Sequence, residues 1–353
     1  MKGLLLASTA LVGLLAGGDA AANRSAQTGT LVVLNKAEAS ASLIDLASGK
    51  VAATVKTGQG PHEVAISKDG ARAVVTNYGG QGAPGSSLTV IDLRAGRALR
   101  TIDLGTYRRP HGIQFAPDGR DLLVTAEQNR ALLVLDGESG RVRRSITTGQ
   151  EVSHMVSVAP DGRRAYVANI GSGNMTVVDL AGGKVVAQVA TGAGAEGVAV
   201  APDGRSVWVT NRDADTVSVV DTSSLKVVKQ LPAASFPIRV QFTRDGRWAI
   251  VSCAKSGEVR FFDAAKRSEV ARLAMPGRSG AGQDRLFGDQ MGQSPVPIGI
   301  VLPGSPGNTA YVASAHADEV VGIDLATRKI TRRLRAGREP DGLGWSPVTV
   351  KAR

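Results

Sequence analysis

One phrase is spoken twice in succession between Val152 and Asp221, and this duplication limits the folds open to the chain more than any other feature. The first copy reads SHMVSVAPDGRRAYVANIGSGNMTVVDLAGGKVVAQVATG and the second AEGVAVAPDGRSVWVTNRDADTVSVVDTSSLKVVKQLPA. His154 and Glu196 hold the same place in the two copies, as do Asp161 and Asp203, Asn169 and Asn211, and Asp179 and Asp221, each pair 42 residues apart. Each copy holds four short runs that alternate apolar and other residues, with Asp-Gly supplying the positive φ of a tight hairpin between the first and second. No stretch has helical spacing of useful length. A four-stranded unit of this kind must bury both faces against neighbours, so one copy alone is unstable and the chain must be an array. A period in the forties built from such runs is the pattern of a β-propeller blade.

Counting the copies predicts the architecture. Runs of the first type begin at His62, His111, His154, Glu196, Ile238, Ile298 and Asp341, which makes seven. The last has only a short tail after it. Near the N-terminus, TLVVLN, SLIDL and VAATVKTG read as second, third and fourth strands that lack a first. The two ends then complete one blade between them, and a closed ring has no open sheet edge at its seam. The expectation is an all-β, seven-bladed β-propeller of four-stranded antiparallel blades, with residues 23–353 as a single domain.

Residues 1–22, MKGLLLASTALVGLLAGGDAAA, carry a lone Lys2, an apolar run and small residues at Ala20 and Ala22. They read as a secretory signal peptide cleaved after Ala22, which predicts a periplasmic or secreted protein. No other apolar run is long enough to cross a bilayer. Cys253 is the only cysteine, so the fold cannot depend on an internal disulfide. The formal net charge of +11 favours anionic partners, a protein or cell-envelope surface included. Much of that charge, as in Arg141, Arg143, Arg144, Arg332 and Arg333, falls in or beside fourth strands, where basic side chains also protect an exposed edge. Aromatic residues are 4% of the chain, too few for base-stacking platforms, so nucleic acid is not an expected partner.

The second-strand segments AYVAN, VWVTN and AVVTN resemble the motif of the YVTN-repeat propellers, and the resemblance covers essentially the whole chain after residue 22. It implies the propeller fold and leaves function open, because binding proteins, surface proteins and enzymes share this repeat. Asp45, Asp92, Asp136, Asp179, Asp221, Asp263 and Asp324 close the seven third strands. Their expected role is structural, a carboxylate accepting backbone N–H groups of the following turn.

Strand alternation brings the starts of first strands and the ends of second strands to one face. That face collects His62, His111, His154, Glu196 and Asp341, together with Asn77, Glu127, Asn169, Asn211, Arg212, Cys253 and His316, and Arg239 beside Ile238. Asp341, His62, His111, His154 and Glu196 open five consecutive blades, and Ile238 and Ile298 open the other two, so a polar arc faces an apolar wall. Two insertions interrupt the period on this same face, near residues 78–87 and 277–294, and the second lies between the two Ile blades, where it can act as a lid. Imidazoles from neighbouring blades plus a carboxylate suit one divalent transition metal such as zinc, copper, manganese or iron, with His62, His111, His154 and Glu196 as ligands. The same residues, with Asp341, Arg239 and His316, could bind a small or anionic ligand. The alternative reading is polar lining of a wet channel mouth, copied from blade to blade with the repeat.

A second resemblance is to propeller lactonases of the 6-phosphogluconolactonase and muconate-cycloisomerase type. There a His in one blade, an Arg and a Glu in the next and an Arg at the end of a later second strand imply lactone chemistry. His62 matches the His, Glu127 the Glu and Arg212 the last Arg, so this resemblance implies catalytic roles for Glu127 and Arg212. His111 stands where the first Arg belongs, and Arg212 lies a blade further on than the pattern has it. The leading expectation is an exported, non-catalytic propeller that binds a small ligand or metal at the channel mouth. The alternative is a metal-assisted lyase, hydrolase or lactonase using the same face.

Overall fold

The computed structural model describes residues 27–80, 82–277, 285–304 and 308–350. The proposed signal peptide lies outside them. Among the described residues the strands form seven four-stranded antiparallel sheets, and helical structure is confined to three 3-10 turns at Lys36–Glu38, Glu127–Asn129 and Gly288–Met291. The innermost strands are Pro61–Ile66 of blade 1, Pro110–Phe115 of blade 2, Ser153–Val158 of blade 3, Ala195–Val200 of blade 4, Pro237–Phe242 of blade 5, Pro297–Val301 of blade 6 and Pro340–Ser346 of blade 7. Each begins one residue before the position read from the repeat. Proline is the first residue in five of the seven, a place where its missing N–H costs the ladder nothing.

Blade 7 is built from both ends of the chain. Its strand order is Pro340–Ser346, Thr30–Asn35, Ser40–Asp45, Lys50–Lys56, with Thr30 opposite Ser346 and Asn35 opposite Pro340. Thr30 Oγ1 also donates to Val348 O at 2.7 Å and accepts from Val350 N at 2.9 Å, so the tail is pinned outside the seam. Apolar clusters lie between neighbouring blades, as the two-faced burial of each sheet requires. One joins Val74, Leu88 and Val90 of blade 1 to Ile113, Leu122 and Leu133 of blade 2. Another surrounds Trp208, fully buried between blades 4 and 5 against Phe242 and Phe262.

Six of the seven turn aspartates, all but Asp179, show the expected bonds. Carboxylates of Asp45, Asp92, Asp136, Asp221, Asp263 and Asp324 accept backbone N–H groups two or three residues on. The outermost strands carry alternating exposed residues, and some of their arginines tie blades together: Arg332 donates to Leu46 O and Arg144 to Leu180 O. That use accounts for part of the basic charge without any polyanion.

Deleting residues 339–353 removes the inner strand of blade 7 and leaves three N-terminal strands facing an empty channel side. Loss of several kcal/mol is expected, and at roughly 2–4 °C per kcal/mol for a domain of this size the thermal midpoint should fall by at least about 10 °C. A midpoint within a few degrees of the parent would contradict closure by this strand.

Candidate functional site

The channel mouth is set by backbone geometry repeated in all seven blades. The residue before each inner strand has positive φ: Gly60, Arg109, Val152, Gly194, Phe236, Val296 and Glu339, with φ of 54–71°. Five of these are not glycine, and each such residue pays a strain of roughly 1–2 kcal/mol for the left-handed conformation. The pairing register then shifts within the first residues of the strand, as between Pro61 and Val64 or Ser153 and Val156. A bulge of this kind re-aims a side chain. Its result is that the second residue of every inner strand points into one pocket.

The carbonyls of these residues are held from the preceding blade. Gly112 leaves room for His154 O, which would lie 2.6 Å from a Cβ there, and Thr125 Oγ1 donates to the same oxygen at 2.6 Å. Gly342 does the same for His62 O and Gly197 for Ile238 O, with 2.2 and 2.3 Å to a hypothetical Cβ. Any larger residue at these glycines would push a mouth residue out of place.

The pocket has a volume of about 290 Å³. His62, His111, His154, Glu196 and Asp341 line it, facing Ile238 and Ile298 with Leu286 and Phe287. The imidazoles of His111 and His154 overlap with ring centroids 3.6 Å apart, and His62 stands edge-on to His111 at 4.8 Å. His62 Nδ1 lies 2.9 Å from Gly60 O. A carbonyl can only accept, so Nδ1 carries the proton and Nε2 keeps its lone pair. His154 Nδ1 donates to Glu127 Oε1 at 2.5 Å, and Glu127 Oε2 accepts from Tyr78 Oη at 2.6 Å. His154 Nε2 and His111 Nδ1 are buried without a hydrogen-bond partner.

Glu196 is the charge hub. Its Oε2 accepts from Arg212 at 2.8 Å and its Oε1 from Arg239 at 3.3 Å, while His154 Nε2 stands 3.5 Å from Oε1. Arg239 continues across the channel to Glu63 of blade 1 at 2.6 Å. Burial opposes ionisation of Glu196, but His154 and the two guanidinium groups prevail and hold its carboxyl at about 2. Burial lowers His62 and His111 well below the ordinary histidine range, so both rings are neutral. His154 goes the other way: burial disfavours its charged form, but Glu127 and Glu196 outweigh burial and raise it. Asp341 is pushed up to about 6 by burial.

Three candidates for a cation, His111, Glu127 and His154, offer ligand atoms within 4.8 Å of one another, and among the described residues His62 and Glu196 join no such group. Two donors each about 2.1 Å from a tetrahedral zinc lie roughly 3.4 Å apart. The 2.5 Å contact of His154 Nδ1 with Glu127 is too short for that and reads as a hydrogen bond. The 3.5 Å between His154 Nε2 and Glu196 Oε1 has the right span. With a cation held at His154 Nε2, Glu127 would be the carboxylate behind the ring rather than a ligand.

The other sequence candidates divide between the pocket and its surroundings. Glu127 and Arg212 both line the pocket, on opposite sides of His154. His316 does not line it; its Nε2 meets Leu286 O at 2.8 Å, because the insertion lies between it and the channel. Asn77, Asn169 and Asn211 are buried clasps whose amides bond hydroxyls of the neighbouring third strand, such as Thr89, Thr176 and Ser218. Cys253 is buried, its thiol pushed up to about 12 by burial, and is inert. Sequence reasoning missed Lys36, Tyr78 and Glu63. Lys36 and Tyr78 follow second-strand ends and could have been found by extending that position by one residue. The described part of the second insertion packs Leu286, Phe287 and Met291 on the Ile238 and Ile298 wall and is clasped by Arg285, bidentate to Asp318 at 2.9–3.0 Å.

Glu196 gives a pH test. Its folded carboxyl titrates below its ordinary value of 4.5, so its stabilisation is full above that pH and is lost as pH falls toward 2. Glu196→Gln leaves Arg239 buried beside a neutral group and should cost about 3–5 kcal/mol near neutrality. Chemical denaturation of parent and variant should show the gap narrowing below pH 4.5. An equal gap at neutral and strongly acid pH would contradict the hub.

Residues 117–241 match the model of the family described as Cytochrome D1 heme domain. No curated protein matches the chain. Among solved structures, the chain is similar to Kuenenia stuttgartiensis hydrazine synthase, with 20% identity, a TM-score of 0.65 and coverage of 87% of this chain and 92% of that one. A functionally unknown protein from Desulfotomaculum acetoxidans is 12% identical with a TM-score of 0.75, covering 91% of this chain and all of the other. The dihydro-heme d1 dehydrogenase NirN in complex with DHE is 18% identical with a TM-score of 0.62, over 87% of this chain and 63% of NirN. At these identities the likeness is one of fold, and it places the chain among β-propellers.

Proposed function

We propose that this chain is an exported YVTN-type propeller that binds a divalent transition metal at its channel mouth through His62, His111, His154 and Glu196, in a binding rather than a catalytic role. The observation that carries the reading is the pair of buried, unpartnered nitrogens, His111 Nδ1 and His154 Nε2, beside a neutral His62 whose tautomer is fixed. Each buried polar atom left unsatisfied costs about 1–3 kcal/mol. An occupant that takes lone pairs accounts for His111 Nδ1 directly, and for His154 Nε2 once a cation displaces the proton that Glu127 and Glu196 favour on that ring. Neutral imidazoles and a carboxylate are donors suited to zinc and its neighbours, and a bound metal supplies Lewis acidity to a small ligand above it. Arg212 and Arg239 add positive charge around the same space, which favours an anionic ligand. The signal-like segment supports export, and no helix among the described residues is long and apolar enough to cross a membrane.

The family match and the NirN complex raise a haem-type ligand. The histidines suit iron, but the pocket of about 290 Å³ lies at the small end of the roughly 300–1,000 Å³ usual for ligand pockets, and Leu286 and Phe287 pack on its apolar wall, which favours a small ligand or a bare ion over a tetrapyrrole.

An enzymatic reading is favoured by one feature. Glu127 holds His154 through Nδ1 and leaves Nε2 facing the pocket, the arrangement of an oriented general base. Arg212 is then placed to stabilise a developing anion. Turnover of simple lactones that is lost in both Glu127→Gln and Arg212→Met would move the reading to hydrolase or lactonase.

Elemental analysis of the purified protein should find one transition metal per chain. In titration calorimetry with zinc, His111→Ala should abolish binding and leave the fold intact, with a thermal midpoint no lower than that of the metal-free parent. Equal binding by parent and variant, or none by either at millimolar zinc, would return the histidines to lining of a wet channel.

A further inference from the structure

Lys36 presents an amine that the metal reading does not use. It follows the second strand of blade 7 and opens the 3-10 turn Lys36–Glu38, with its backbone N–H donated to Glu339 O at 3.0 Å. That bond fixes the chain at the pocket rim and sends the side chain inward, where it lines the pocket with four-fifths of its surface covered. Its Nζ makes no hydrogen bond among the described residues. The nearest carboxylate, Asp341 Oδ2, stands 3.9 Å away, an ion-pair distance too long for a hydrogen bond. Structural lysines normally satisfy their three donors with acceptors or water. This one has no acceptor within hydrogen-bond distance among the described residues and keeps about a fifth of its side-chain surface open.

Burial acts on the two groups in opposite directions. It lowers the amine of Lys36, against the attraction of Asp341, and raises the carboxyl of Asp341 to about 6. Both are moved toward their uncharged forms, an amine with a free lone pair beside a carboxylic acid. Arg239, whose positive charge also disfavours an ammonium, faces the same space. A desolvated lysine next to other cationic groups is the setting in which an amine becomes a nucleophile.

We infer that Lys36 forms a Schiff base with a small aldehyde or ketone that enters the channel mouth, with Asp341 relaying the protons. Nζ, deprotonated, adds to the carbonyl carbon, and one of its two protons passes by way of the Asp341 carboxyl group to the carbonyl oxygen to give a carbinolamine. Asp341 donates a proton to that hydroxyl, which leaves as water as the C=N bond forms, and the nitrogen's remaining surplus proton returns to the Asp341 carboxylate. One amine and one carbonyl give one imine and one water, with no oxidant or reductant. The site accepts this chemistry whether or not the histidines hold a metal, since Lys36 and Asp341 are not among the proposed ligands.

Reductive trapping tests it. The full-length protein is incubated briefly with glyoxylate and cyanoborohydride near neutral pH, and the modified lysines are located by peptide mass mapping. Lys36 should be alkylated severalfold faster than the exposed Lys50 and Lys184, since a lowered amine holds more of its free base near neutral pH. Asp341→Asn should slow trapping at Lys36 several-fold while Lys50 and Lys184 keep the parent rate, with thermal unfolding confirming that the variant folds. Labelling of Lys36 no faster than of the exposed lysines overturns the inference, as does an Asp341→Asn variant that folds and traps at the parent rate overturn the relay.

Discussion

The mouth of this propeller depends on a contact between backbones. In blade after blade the carbonyl of the mouth residue lies against a glycine of the preceding inner strand, as His154 O does at Gly112, Ile238 O at Gly197, Asp341 O at Gly299 and His62 O at Gly342. Side-chain hydroxyls of second strands reinforce it, with Thr125 bonding His154 O, Thr210 bonding Ile238 O and Ser252 bonding Ile298 O. The contact needs only main-chain atoms of the mouth residue, so the side chain it delivers is free to vary. That is how one repeated geometry yields histidine, glutamate and aspartate on five blades and isoleucine on two. The seam blade obeys it as well, so ring closure and site assembly are one event.

A site this dry and this polar is held together by its charges. Glu196 accepts from two guanidinium groups and faces His154, while Arg239 spans the channel to Glu63, so the ion pairs form the floor of the pocket. Buried pairs of this kind add little net stability compared with an apolar core, but losing one partner is costly, which makes the network rigid. The rigidity matters for the histidines above it. His154 has its tautomer set by Glu127, His62 by Gly60, and His111 is fixed by overlap with both rings. Ring nitrogens are thereby aimed before any ligand arrives, which is the pre-organisation a binding site needs.

The fold was legible in the sequence because a propeller writes itself as repetition. The 42-residue spacing of His154 and Glu196, the seven closing aspartates and the three unmatched N-terminal strands specify blade number and seam, and the observed sheets agree. The membership of the mouth was legible from the same periodicity. What periodicity could not supply was the pairing among those residues, since Glu127 with His154 or Glu63 with Arg239 joins blades that no local rule connects. Positive φ at Arg109, Val152, Phe236, Val296 and Glu339 was equally hidden, because residues other than glycine give no sign of it. His316 was misplaced for a different reason: an insertion, which by nature escapes the period, covers it.

The central claim is that His62, His111, His154 and Glu196 surround one metal ion. X-ray absorption at the metal edge, on protein reconstituted with one equivalent of zinc, looks directly at that shell. The account predicts nitrogen and oxygen neighbours at about 2.0–2.1 Å, with the outer-shell scattering of several imidazoles that weakens in His62→Ala. A shell of oxygen alone, without imidazole scattering, would contradict it.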